Sequence, residues 1–160
     1  MPDSVKPMDK SKLPLRIGVG AILINSEKKI LVGKRKDHPH NDNWQMPQGG
    51  VNKNEDNISA IKRELFEETS IKNISIMKEL DGFYEYELPE NLLGIIWKGQ
   101  YRGQKQKWFI CKFLGHDKEI NLKTANPEFL EWQWINPKKL PEKIVYFKKN
   151  LYNKLLEEIN

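Results

Sequence analysis

Residues Gly49–Ile71 read GGVNKNEDNISAIKRELFEETSI. Two glycines, a polar stretch and then apolar residues at helical spacing (Ile58, Ile61, Leu65) predict a glycine turn followed by a helix from about Asp56 to Thr69. The helix carries Glu64, Glu67 and Glu68 at i, i+3 and i+4, one face with Cβ atoms roughly 5–6 Å apart. Like charges so placed repel and destabilise an isolated helix. A glutamate on a helix ordinarily belongs to a solvated face. These acids, however, centre about 100° round from the apolar stripe, beside the buried edge rather than opposite it, as a cleft lining does. A hard divalent cation such as Mg2+, used together with substrate phosphates, removes the conflict. Arg63, four residues before Glu67, is placed to pair with it.

The rest of the chain bounds what such a site serves. With 160 residues, one domain with a proper core is the simplest division. Apolar residues make up 38% and charged residues 31%, and the longest apolar run, around Ile17 to Ile24, falls far short of the ~20 residues of a membrane span. The start, MPDSVKPMDKSK, lacks the apolar centre of a secretory signal, so residues 1–13 predict a disordered basic arm and residues 14–160 the domain. A lone Cys111 allows no internal disulfide and fits a reducing cytoplasm; its apolar strand setting makes it a small buried hydrophobe. The net charge is +5, and a basic chain with its acids concentrated on one helix suggests a polyanionic substrate with a metal at its reactive point. Only four basic residues are arginine: Arg16, Arg35, Arg63 and Arg102. In a lysine-biased chain these suggest stacking or bidentate clamping that lysine does not supply.

Arg16 to Asn25 and Lys28 to Arg35 read as two strands joined at Ser26–Glu27. His38 to Asn43 is a polar loop, in which His38 and His40 show no metal spacing with each other or with His116. Ile74 to Leu80, Phe83 to Leu88, Lys107 to Leu114 and Phe129 to Ile135 read as further strands, with a loop from Pro89 to Gly99. From Ile144 to Ile159 the apolar residues return at helical spacing and predict a closing helix. The result is an α+β chain, sandwich-like in α/β/α layers.

Read as G-x5-E-x7-R-E-U-x-E-E-x-G-U, the opening stretch is matched by Gly49, Glu55, Arg63, Glu64, Leu65, Glu67, Glu68 and Ile71, with Ser70 at the second glycine. This resembles the Nudix box, the signature of hydrolases that cleave nucleoside diphosphates linked to a further group. The run from Tyr101 to Phe109 (YRGQKQKWF), with Trp44 to Gly50 and Pro127–Glu128–Phe129, is similar to the bacterial RNA pyrophosphohydrolase branch, whose relatives include dinucleoside polyphosphate hydrolases. The resemblance covers roughly residues 15 to 158 and implies a mixed central sheet between helices with a C-terminal helix. It implies a metal site for Mg2+ or Mn2+ at Glu64, Glu67, Glu68 and Glu128 with Gly49. Glu64, Glu67 and Arg63 become the catalytic set, Glu55 and Arg63 orienting the carboxylates. Arg16, Gln104, Lys107 and Tyr86 are placed at the phosphates, and Arg35, Val145, Phe147 and Lys148 at an RNA base. By pattern alone, GQKQKWF directs Gln104, Gln106 or Lys107 to a phosphate chain with Trp108 and Phe109 inward, or is an amphipathic strand with a solvated lysine edge. Phe147 is equally a core anchor of the closing helix.

The implied reaction converts a 5′-triphosphate RNA end to a 5′-monophosphate, promoting decay. Glu64 is the indispensable carboxylate, and either it or a neighbour takes the proton of the attacking water. Two alternatives stand beside it: asymmetric hydrolysis of diadenosine tetraphosphate, and an inactive module that only binds nucleotide or RNA, against which the intact acid set argues. A cytoplasmic monomer is expected, with no membrane and no DNA as partner.

Overall fold

The computed structural model describes residues 9, 12–36 and 43–159. Most of the arm expected at residues 1–13, together with His38 and His40, lies outside them. A ten-residue strand, β1 (Leu15–Ile24), occupies the middle of a mixed sheet. On one side it pairs antiparallel with β2 (Ile30–Arg35), which continues to β3 (Trp44–Gln45) and β8 (Phe129–Ile135). On the other it runs parallel to β7 (Gly103–Phe113), which carries β5 (Ile74–Glu79) and β6 (Tyr84–Glu87) antiparallel on its far edge. The pairing of Leu15 with Gly103 starts β7 four residues before the strand expected from Lys107.

Alternation along β1 divides two cores. Val19, Ala21 and Leu23 face α1 (Asn57–Thr69) with Ala60, Ile61, Leu65, Phe109 and Cys111. Ile22 faces the other way, joining Trp108, Met46 and the residues Leu151, Tyr152 and Leu155 of α2 (Lys149–Glu157). The two helices thus cover opposite faces of the sheet, giving the expected α/β/α layering with a C-terminal helix. Among the described residues no helix is long and apolar enough to cross a membrane.

Several local expectations are corrected. Gly49 and Gly50 form no turn: with Gln48 they make a short strand, β4 (Gln48–Gly50), because Gly49 pairs with Val19 and Gly50 with Gly18. Ile58 leaves the apolar stripe, being 46% exposed. The closing helix starts late. Val145 stays extended at φ −59°, ψ 143°, so Tyr146–Lys148 form only a 3-10 turn ahead of α2. The segment expected as a loop from Pro89 also holds a 3-10 turn, Ile96–Gly99, with Trp97 and Lys98 at φ 51° and 57°.

Candidate active site

The box helix begins where Asp56 caps it, its side chain accepting from Ser59 N at 2.7 Å. It ends at Ser70, which adopts φ 67° and donates its N–H to Phe66 O at 2.8 Å. Serine therefore meets the left-handed requirement of the helix end. Its hydroxyl donates to Asn121 O at 2.9 Å, which gives that polar side chain a partner.

Arg63 organises the acids. Its Nε and Nη2 donate to the two oxygens of Glu55 at 2.8 and 2.9 Å. Nη1 donates to Glu64 at 2.8 Å and Glu67 at 3.1 Å, while Nη2 also reaches Gly50 O at 2.7 Å. The guanidinium, helped by the Asn52 N–H, holds the Glu55 carboxyl down to about 2, and Glu55 in turn raises Arg63. Arg63 thereby positions the carboxylates.

The three box glutamates lie at different depths. The Glu67 side chain is 56% exposed, that of Glu64 12%, and Glu68 as a residue only 2%. Burial pushes the Glu64 carboxyl up, with Arg63 pulling against it. Burial, then the charges of Glu128 and Glu64, pushes Glu68 well above the ordinary carboxylate range. Glu68 Oε1 accepts from the Gln48 N–H at 3.1 Å.

Gly49 and Gly50 allow two close approaches. A Cβ on Gly49 would overlap the Glu64 carboxylate, and one on Gly50 would strike the Arg16 guanidinium. Arg16 also stacks over Trp97, whose ring centroid lies 5.5 Å from Cζ.

Two of the recesses bordered by these groups take in Glu128. The larger, about 680 Å³, is lined by Arg16, Arg35, Gln48, Gly49, Glu64, Tyr86, Gln104, Glu128, Val145, Phe147 and Lys148, among others. The smaller, about 460 Å³, takes in Glu64, Glu67, Glu68, Thr124 and Glu128. Glu64 and Glu128 line both and form their junction.

Within the larger recess, Gln45 Oε1 accepts from Lys148 Nζ at 3.0 Å and from Arg35 Nη1 at 3.3 Å. Lys148 Nζ stands 5.1 Å from the Tyr86 ring centroid, and the Tyr86 and Phe147 rings are 5.9 Å apart. Phe147 is half-buried, packed partly on the core and partly lining the cleft. Burial pushes the Tyr86 hydroxyl up to about 12, against the pull of Arg35 and of the Gln48 and Gln104 amides.

Lys107 is not brought here. Strand alternation turns it to the other face of β7, where Nζ donates to Gly82 O at 3.1 Å and lies over Phe83.

Among the described residues, no three His, Cys, Asp or Glu side chains stand close enough together to hold a metal ion. Glu64 is drawn toward Arg63 and Glu68 toward Gln48. The donor set nevertheless fits a hard cation. Glu68 Oε2 is buried with no hydrogen-bond donor, and the Glu128 carboxylate stands within reach of it. Two carboxylates so placed repel unless a proton or a cation lies between them.

Comparison with known proteins bears on this arrangement. A family model described as NUDIX domain matches residues 14–155. The chain belongs to the Nudix family. A Pelagibacter ubique protein named RNA pyrophosphohydrolase is 55% identical over 151 residues, covering 94% of this chain and 95% of its own. One of the same name from Rhodospirillum rubrum is 42% identical over 153 residues, 96% and 92% of the two chains. Among solved Nudix-like structures, the E. coli dihydroneopterin triphosphate pyrophosphohydrolase superposes with TM-score 0.67 at 18% identity, over 92% of this chain and 99% of its own. A C. elegans Ap4A hydrolase binary complex gives 0.62 at 19%, over 89% and 97%. At those identities the likeness is one of fold. As in Nudix enzymes generally, a divalent metal is required.

Sequence reading overlooked Gln45, Gln48 and Trp97 as site residues of this Nudix cleft. Gln106 was already a candidate from its strand, whereas Gln48 lies on β4, whose glycines were read as a turn. Nothing in the spacing of Trp97 pointed to Arg16.

Proposed function

We propose that this Nudix enzyme hydrolyses the 5′-triphosphate end of RNA to a 5′-monophosphate end, exposing the transcript to decay that prefers monophosphate ends. The observation that carries the reading is the single cleft that gathers Glu64 and Glu128, Arg16, Gln104 and Tyr86, and Arg35 and Phe147 in one lining. That combination of acids, anion-binding groups and flat cationic and aromatic groups suits a nucleotide end with its phosphate chain. The names of the relatives at 55% and 42% identity support it.

In this reading Glu64, Glu67, Glu68 and Glu128, with Gly49 beside them, hold the cation, Mg2+ or Mn2+. When bound, the cation neutralises charge developing on the phosphates. Arg16, Gln104 and Tyr86 hold the phosphate chain. Arg35 and Phe147 flank the first bases, and Val145 and Lys148 close that end. Arg63 keeps Glu64 and Glu67 in place. A water oxygen attacks phosphorus, its proton passes to Glu64 or its neighbour Glu67, and the anhydride P–O bond breaks. Pyrophosphate leaves, or phosphate in two steps. Residues 14–160 act as one domain, a cytoplasmic monomer with no membrane or DNA partner.

The deciding experiment is competition between 5′-triphosphate RNA and diadenosine tetraphosphate with Mg2+ or Mn2+, compared by kcat/KM. Preference for RNA is expected. Preference for the dinucleotide would move the assignment to polyphosphate hydrolysis, and turnover of neither would leave a binding module.

A further inference from the structure

A chain of side-chain amides lies beneath the phosphate-facing wall, and its polarity is set from the core. It starts at Trp108, fully buried, whose indole nitrogen is 3.0 Å from Gln106 Oε1. An indole N–H only donates, so the Gln106 amide must turn its oxygen to Trp108 and its NH2 away. Amide orientations are otherwise inferred from their neighbours, and here a donor-only neighbour fixes the choice. The Gln106 NH2 has two hydrogens. One goes to Gln48 Oε1 at 2.8 Å and the other to Gln104 Oε1 at 2.9 Å. With those oxygens turned to Gln106, the NH2 groups of Gln48 and Gln104 point away from it, and their N–H donors are left for other partners. Both residues line the cleft, whereas Gln106 is fully buried behind them.

The surrounding fold is shaped to hold this chain. Gln106 and Trp108 lie beside Gly18 and Gly20 of β1. A Cβ on Gly18 would strike Gln104 Oε1, and one on Gly20 would strike the Trp108 ring. The two missing side chains open the trough in which the amides and the indole lie. Gln48 is also the residue whose backbone N–H donates to Glu68. One residue therefore fixes a wall donor and an acid of the floor together. The Tyr86 hydroxyl, beside both amides, feels them as donors.

We infer that Trp108 and Gln106 are positioning residues that lock Gln48 and Gln104 with their N–H groups toward the phosphate chain, forming a neutral donor subsite beside Arg16. The inference rests on the phosphohydrolase reading above and names the groups that hold its substrate. Neutral donors suit this place. They bind phosphate oxygens without adding positive charge that would repel a cation at the acid junction.

The test is Gln106→Met, which keeps the length of the side chain and removes both its acceptor and its donors. Gln48 and Gln104 are then free to turn their oxygens to the cleft. KM for 5′-triphosphate RNA is expected to rise about tenfold or more, as for the loss of two neutral hydrogen bonds, with kcat within about threefold. A folded variant with unchanged KM overturns the proposal. If the wild type does not turn over RNA, inorganic tripolyphosphate replaces it in calorimetry. Weaker binding by Gln106→Met then supports the subsite although the RNA reading fails, and equal binding overturns it. If the variant does not fold, the side-chain amide resonances of Gln48 and Gln104 in the wild type decide. They shift on adding tripolyphosphate if the N–H groups face it, and their indifference overturns the proposal.

Discussion

On α1 the charged groups of the site come from one short stretch of chain, and a single guanidinium serves them: Arg63 contacts Glu55, Glu64 and Glu67 at 2.8–3.1 Å. Across the cleft most of the buried wall side chains are neutral, Lys148 at 4% exposed being the exception, and the neutral ones come from distant strands. Gln48, Tyr86, Gln104 and Gln106 lie on β4, β6 and β7 and are all under 10% exposed. The difference follows from depth. At the partly exposed helix face the carboxylates meet water and the Arg63 ion pairs. A wholly buried position tolerates a polar group only if its hydrogen bonds close, which amides achieve at lower desolvation cost than ions. Glu68 sits between the two regimes, 2% exposed and still acidic, with one oxygen lacking a donor.

The largest effect should come from breaking the acidic side at the junction. Glu64→Gln is expected to leave the circular dichroism spectrum and melting temperature near those of wild type and to lower kcat by about a hundredfold or more. Activity within a few-fold of wild type in saturating Mg2+ would remove Glu64 from the reaction.

Phe147→Ala tests whether the far end of the cleft belongs to the site or to the core. As a stacking residue it should melt nearly normally and lose about 1–3 kcal/mol of RNA kcat/KM, with a smaller loss on a free nucleoside triphosphate. As a core anchor it should cost about 3–5 kcal/mol of stability and depress both activities alike. Its half-buried position, against Tyr86 and Tyr146, leads us to expect the first outcome with a minor loss of stability.

Glu68→Gln sharpens the comparison by converting the buried acid to the amide chemistry of the wall. In metal-free protein it removes repulsion from Glu128 and Glu64 while its oxygen still accepts from Gln48. The melting temperature should rise by about 2–4 °C for each ~1 kcal/mol relieved. Added Mg2+ should stabilise this variant less than wild type. A lower melting temperature without metal would mean that Glu68 needs no cation partner.

The smallest effect concerns Glu55. Its folded value of about 2 lies below the ordinary 4.5, so its contribution to stability is fully present above about pH 4.5 and is lost as pH falls through 2. The difference in melting temperature between wild type and Glu55→Gln should therefore be greatest at neutral pH and shrink below pH 4.5. A difference that stays constant down to pH 2 would show that Arg63 does not hold Glu55 through charge.

Legibility followed sequence distance. The helix, read from about Asp56 to Thr69 and found over Asn57–Thr69, and the pairing of Arg63 with Glu67 depend on neighbours within about two turns, and spacing was enough. The strand Phe129–Ile135 was read to the residue because its period of two is local as well. Lys107 was misplaced at the phosphates because a run of alternating Gln and Lys does not say which set faces the cleft. The pairing with β1 put the glutamines there. Val145, Phe147 and Lys148 were expected on a helix, but the extended Val145 delays it.

By itself, then, the sequence determined the local objects: an acidic helix face carrying its own arginine, the strands by alternation, and a closing amphipathic helix. These are set by short-range sterics and by periodicity, which are properties of consecutive residues. Tertiary structure decided how deep each glutamate lies, which side of β7 faces the cleft, and that Trp97 faces Arg16. It also decided that an indole in the core sets the direction of two amides at the surface of the cleft. Such relations join residues far apart in the chain, between β1, β4, β6 and β7, and they exist only once the parallel pairing of Leu15 with Gly103 has fixed the register.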